Sequence, residues 1–438
     1  MRMSINRCSS AERPLRAAAP ASPAARRRCL AGMAVLAAVL ALVSATGAQA
    51  GFQGLGDLPG GLGSNAFGVS ADGGVVVGFS YYIAPGGLLQ SHAFRWTQAD
   101  GMQALFAGGL DYTSSALCIS ADGLSIGGWH ALTIIEERAF VWSAAGGEVQ
   151  LDTRSGVEAL SAAGEVAAGY LAHGSGSVGR AAIWDANGHG TFIDLPGMEN
   201  FASRARGISA DGAIVVGWAP FNGTMVRAFR WTVATGMVNI GSLDPQGPTS
   251  DAYAIISNGS VIVGSAQATG GSGPMEAARW TAGGGWQILG SLPGTAGGVA
   301  YAVSADGNTV VGVSGGHAFI WRPNRGMEDL QVILAPPAGW TLAEARGISA
   351  DGKIVIGNGT HVGGGGGAWM ATLPHYGDLN CDGAVNFADI NPFVLALTGQ
   401  APYEAAFPNC NWLNADCNAD GAVNFADINP FVALLTGP

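Results

Sequence analysis

One phrase returns along this chain seven times, clearest between Ala205 and Trp231 as ARGISADGAIVVGW, a short gap and RAFRW. The turn aspartate of SADG falls at Asp72, Asp122, Asp211, Asp306 and Asp351, and ungapped alignment puts Ala163 and Asn258 in the two missing places. Steps between the seven positions are 50, 41, 48, 47, 48 and 45 residues. A period of that size, carried over most of a chain, marks a repeat architecture.

Each repeat reads as four strands. The first is small and apolar, as in Ala66-Phe67-Gly68-Val69-Ser70. The Asp-Gly or Asn-Gly pair after it signals a tight hairpin, whose turn needs positive φ. The second is a β-branched run such as Ile214-Val215-Val216-Gly217, apolar on both faces and suited to a strand covered on both sides. In the third, for example Ala228-Phe229-Arg230-Trp231, the two-residue period puts Phe and Trp on one face and Ala on the other. Near-identical sheets stack in that way, large face on small. The fourth follows a Gly turn, as in Met237-Val238-Asn239-Ile240. One repeat is thus a four-stranded antiparallel meander.

The last repeat supplies Ala345–Ser349, Ile354–Gly357 and Ala368–Leu373 and then changes character before a fourth strand. Phe52–Leu58 is a fourth strand with no repeat before it; its Leu55-Gly56-Asp57-Leu58 matches Ile240-Gly241-Ser242-Leu243. Orphan and vacancy complete each other. The expectation is an all-β, seven-bladed β-propeller over residues 51–373, closed by the N-terminal strand and free of long exposed sheet edges.

The propeller's polar residues make no case for catalysis, so no catalytic residue is assigned. His92 and His317 open an H-A-F triplet, but the same place holds Arg138, Arg180, Arg227, Glu276 and Gly367. So varied a position reads as a solvated strand edge. The SADG aspartates read as turn residues. Arg95, Arg230 and Arg279 share one register, where they line a groove or lay their stems over a neighbouring blade.

These repeats resemble the HAF family of bacterial extracellular repeat proteins, through His92-Ala93-Phe94 and His317-Ala318-Phe319. That family carries no established activity. Residues 1–50 read as a signal peptide: Arg26-Arg27-Arg28, an apolar run of 14 residues from Leu30 to Val43, and a small-x-small site at Ala48-Gln49-Ala50. The run is too short to span a bilayer, so the chain is expected to be exported, to the exterior, the cell surface or the periplasm, without a membrane span after cleavage. Removing the leader leaves 13 basic and 30 acidic side chains, a net charge of −17, which disfavours nucleic acid as a partner. Cys118 sits in a first strand and reads as a small buried residue. Cys381, Cys410 and Cys417 allow one disulfide with three pairings.

From Gly377 the composition changes. GDLNCDGAVNFADINPFVLALTG returns 38 residues later as NADCNADGAVNFADINPFVALLTG. Each copy holds a twelve-position calcium loop. Asp378, Asn380 and Asp382 stand at positions 1, 3 and 5, Ala384 offers its carbonyl at 7, Asn386 stands at 9 and Asp389 at 12. The second copy supplies Asp416, Asn418, Asp420, Ala422, Asn424 and Asp427. Oxygen donors at odd positions, a glycine at position 6 and a closing carboxylate suit Ca²⁺, and two loops imply two ions. Seven acids and no Lys or Arg lie beyond Gly377, so folding of this segment is expected to be linked to metal. Pro392 and Pro430 are placed to begin helices after Asn391 and Asn429.

Residues 377–438 resemble a type I dockerin, a small α-helical, EF-hand-like module by which secreted polysaccharide-degrading proteins attach to cohesins. The resemblance implies a cohesin-like partner reading loop positions 10 and 11, here Phe387, Ala388, Phe425 and Ala426. The expected function is a secreted, non-catalytic binding or scaffold protein, with a polysaccharide or cell-surface ligand on the propeller. The alternative is a glycoside hydrolase or lyase whose propeller carries the chemistry.

Overall fold

A computed structural model describes residues 51–438 apart from 85–86, 107–112, 134–135, 173–177, 199, 222–224, 244–248, 268–272, 363–365, 409, 419 and 437–438. The leader expected over residues 1–50 lies outside the described residues. Seven four-stranded antiparallel sheets form a seven-bladed propeller. Blade 1 is Ser64–Val69, Val75–Ile83, Leu89–Thr97 and Gly101–Ala104; blade 4 is Arg204–Ile208, Val215–Phe221, Met225–Thr232 and Gly236–Asn239. Blade 7 takes Trp340–Ile348, Ile354–His361 and Gly366–Thr372 from the last repeat and its outer strand, Phe52–Gly54, from the other end of the chain. Phe52 pairs with Ala371 and Gly54 with Trp369. The seam extends through Leu55 N–H to Ala368 C=O (2.9 Å) and Thr372 N–H to Gly51 C=O (2.8 Å).

The expected large-on-small stacking is what packs the blades. Phe94, Phe140, Phe229 and Phe319 are fully buried, each sharing a core cluster with an alanine of the preceding blade's third strand: Ala368, Ala93, Ala181 and Ala277. A serine opening the inner strand adds a bolt between blades. Ala93 N–H donates to Ser114 Oγ (2.9 Å), Ala181 N–H to Ser203 Oγ (2.9 Å), Ala228 N–H to Ser250 Oγ (2.9 Å) and Ala368 N–H to Ser64 Oγ (3.3 Å). The SADG turns hold themselves and their neighbours. Ser70 Oγ donates to Asp72, whose carboxylate accepts from Gly74 N–H, and Ala350 N–H reaches across the seam to Ala71 C=O (2.9 Å).

One turn of helix, Leu330–Leu334, follows blade 6, unannounced in the repeat pattern. Asp329 caps it through Gln331 N–H, and Leu330, Ile333 and Leu334 bury. Beyond blade 7 come short helices: Ile390–Ala396, Gln400–Ala406 and Ile428–Thr436, with 3₁₀ turns at Phe387–Asp389, Trp412–Ala415 and Phe425–Asp427. Helices start at Ile390 and Ile428, two residues before Pro392 and Pro430 rather than after Asn391 and Asn429. The prolines still lie in the first turn, where an N–H would lack an intrahelical partner. Phe393 and Phe431 stack at 4.1 Å over a core that includes Leu379, Tyr403 and Cys417. The disulfide is Cys381–Cys410. Cys417 and Cys118 are buried thiols, and burial pushes both up, Cys417 to about 12. Among the described residues no helix is long and apolar enough to cross a membrane.

Candidate functional site

The doubled C-terminal loops fold as near copies. Asp378, at position 1, is 2% exposed; its Oδ2 accepts from Gly383 N–H (3.1 Å) and lies 3.0 Å from His375 Nδ1. Asp389, at position 12, is fully buried and accepts from the amides of Leu379 (2.7 Å), Asn380 (3.0 Å) and Asn386 (2.9 Å). In the second copy Asp416 accepts from Asp420 and Gly421 N–H, and Asp427 from Asn418 and Asn424 N–H. Asn380 donates to Asp382 and Asn418 to Asp420, at 3.0 Å each. Asn386 and Asn424 reach the carbonyls of Ala384 and Ala422. The twelve residues singled out in the sequence therefore sit in two tight, self-bonded turns. Among the described residues no three His, Cys, Asp or Glu side chains converge as a metal-holding group; the position-12 aspartates are spent on backbone amides.

The donor set nonetheless fits a hard cation. Asp378 Oδ1 is buried without a hydrogen-bond partner. Burial, reinforced by the Asp427 and Asp420 carboxylates, raises Asp416 above the usual carboxylate range. Closely packed carboxylates with no Lys or Arg in their own segment, and only His375 beside Asp378, are what a divalent ion relieves. Phe387 and Phe425 stand 76% and 79% exposed beside the loops, with Ala388 and Ala426.

A second site was not read in the sequence. In every blade a β-bulge interrupts the inner strand at one place: between Ala66 and Gly68 in blade 1, Ala205 and Gly207 in blade 4, Ala252 and Ala254 in blade 5, and likewise in the other four. The extra residues are Phe67, Leu117, Glu158, Arg206, Tyr253, Tyr301 and Arg346. A glycine in the second strand makes the bulge possible. A Cβ on Gly78 or Gly217 would overlap the carbonyl oxygen of Asn65 or Arg204, and the same holds at the matching glycine of every blade. The bulge breaks the two-residue alternation and turns its residue toward the ring's axis. Six of the seven, all but Tyr301, line a cavity of about 220 Å³ there.

The ring is laced by ion pairs and flat stacking. Glu158 contacts Arg204 and, at 3.6 Å, Arg206; Arg206 Nε is 3.2 Å from Asp251, and Arg346 Nε is 2.8 Å from Glu344. Guanidinium groups lie over tyrosines: Arg206 on Tyr253 at 4.4 Å, Arg346 on Tyr301 at 4.1 Å. Asp251 Oδ1 is buried without a hydrogen-bond partner. Burial drives the Asp251 carboxyl up to about 7, against the opposing pull of Arg206. The available signal was one place reading F, L, E, R, Y, Y, R between fixed small residues.

The position shared by His92 and His317 is a solvated strand edge, as expected, at the exposed His317, but departs from that in blades 3 and 4. Arg180 and Arg227 there are 6% and 5% exposed. Arg180 lies 3.3 Å from Asp194 and over the Phe192 ring, and Arg227 donates to Ser242 Oγ (2.7 Å). Residues following the outer strand cover this position in those two blades, so polar heads are paired rather than hydrated. Arg279 reaches the next blade's turn at Gly307 C=O (3.3 Å), covering a neighbour as one of the two expectations had it.

The fold places the chain among β-propellers. No family model and no curated protein matches it. Similar solved structures are an oligogalacturonate lyase in complex with manganese (14% identity, 70% of this chain and 88% of that one, TM-score 0.48) and the β-propeller domain of the Trilobed protease from Pyrococcus furiosus (9%, 71% and 94%, 0.46). TolB from Acinetobacter baumannii is also similar (11%, TM-score 0.41); the match covers 69% of this chain and 64% of TolB.

Proposed function

We propose that this chain is a secreted, non-catalytic binding or scaffold protein: an HAF-repeat propeller over residues 51–373 recognises a ligand, and a dockerin-type, EF-hand-like segment over 377–438 attaches it when two Ca²⁺ ions are bound. The reading is carried by the doubled loops, where buried Asp378 and Asp416 lie in a segment with no Lys or Arg. Each ion would be held by the aspartates at positions 1, 5 and 12, the asparagines at 3 and 9 and the carbonyl at 7, and would supply positive charge that lets the carboxylates pack. Exposed Phe387 and Phe425 supply apolar anchors for a cohesin-like partner. Calorimetry on the full chain is expected to show two bound calcium ions, with EDTA lowering helical circular dichroism and opening residues 377–438 to protease. Heat-free mixing with calcium, or a spectrum indifferent to EDTA, would sink the assignment.

A polysaccharide hydrolase or lyase is the second reading, and one observation favours it. Glu158 and Asp251 converge on Arg206, and burial raises the Asp251 carboxyl, as suits a general acid. New reducing ends or unsaturated products from a polysaccharide panel, lost in Asp251→Asn, would establish it.

A further inference from the structure

We propose that the mouth of the propeller channel binds one sugar ring of a neutral glycan, an inference that rests on the binding-platform reading above. Its charges cancel. Arg204, Arg206 and Arg346 face Glu158, Asp251 and Glu344, so a ligand of either net charge meets as many like charges as opposite ones. An apolar ligand is no better served, because it would strip water from the Glu158 carboxylate and the Arg206 and Arg346 guanidinium groups that line the cavity. A hydroxyl donates and accepts at once, so a row of hydroxyls can replace that water at one carboxylate and two guanidinium groups together.

The ring is also two-sided. Blades 1 and 2 present Phe67 and Leu117, while blades 3, 4 and 7 present Glu158, Arg206 and Arg346, with Tyr253 of blade 5 between them. A pyranose has the same division, with C–H groups over one face and hydroxyls around its edge. The cavity of about 220 Å³ is smaller than the 300–1,000 Å³ usual for drug-sized ligands, which limits the occupant to a single ring, the remainder of the glycan lying outside.

The test is calorimetry on the full calcium-treated chain with cellohexaose, xylohexaose, mannohexaose and chitohexaose, against hexagalacturonate and a lysine hexapeptide. At least one neutral hexasaccharide is expected to bind, with the charged probes at least about tenfold weaker. Two variants locate the site. Glu158→Gln removes the carboxylate that lines the cavity, and Leu117→Trp fills the channel without touching an ion pair, so one remains informative if the other fails to fold. Each folded variant is expected to lose about tenfold in affinity or more, while Val233→Ser, at an exposed outer turn, leaves binding unchanged. The proposal is overturned if no neutral hexasaccharide binds, if a charged probe is preferred, if the folded channel variants bind like the parent, or if Val233→Ser weakens binding as much as they do. Cleavage of a bound hexasaccharide would overturn the non-catalytic reading instead and leave the site standing.

Discussion

Gly217 shows how a residue with no side chain positions one that has chemistry. Its missing Cβ leaves room for the Arg204 carbonyl, the bulge follows, and Arg206 faces the channel. Gly217→Ala is therefore expected to cost about 3 kcal/mol, as overpacking against backbone does, and denaturant melts would read it; a variant as stable as the parent removes the account of the bulge. The final glycine of each β-branched run was visible in the sequence, but its reason was not. Alternation is legible only while the period holds, and a bulge shifts its phase, so in the sequence Phe67 and Arg206 read simply as part of a small apolar strand. His130 carries a different prediction. It is buried against Phe106 and Phe140, and burial, aided by Arg138 and opposed by Glu148 at 3.3 Å, holds its imidazole below the ordinary range near 6.5. The fold favours the neutral ring, so its contribution is whole above the unfolded value and is lost as pH falls through the folded one. Replacing His130 by Leu is expected to shrink the drop in Tm between pH 7 and pH 5; an equal drop in both proteins would refute this.

At the scale of the strand, the sequence told most where one piece had to meet another. Phe52–Leu58 had no repeat in front of it, and the last repeat had no fourth strand; pairing of Phe52–Gly54 with Gly366–Thr372 follows from those two facts. Leu55 and Leu58 bury beside Phe94, Trp96 and Ala368, so the segment ties blade 7 to blade 1 through core as well as hydrogen bonds. Deleting residues 51–60 is expected to cost on the order of 5 kcal/mol and to lower the melting of the whole propeller in a single step. A truncated chain that melts like the parent would mean the seam is dispensable. Five residues are too few for Leu330–Leu334 to show a helical period, and alternation names the face of Arg180 and Arg227 without saying what covers it.

Over the whole molecule, a ring of seven copies makes every blade's inner strand a neighbour of the same axis, so residues some 50 apart in sequence become one surface. No local motif announces such a site; only the closed ring creates it. Closure has a mechanical consequence as well. The strand Gly366–Thr372 leads directly into the C-terminal segment and is gripped on one side by Ile354–His361 and on the other by Phe52–Gly54. If that segment is the tether, tension enters the disc along this strand and tries to slide it between two partners. Its hydrogen bonds then share the load in parallel instead of opening one after another, so the seam where the chain's ends meet is also where the fold is best arranged to be pulled.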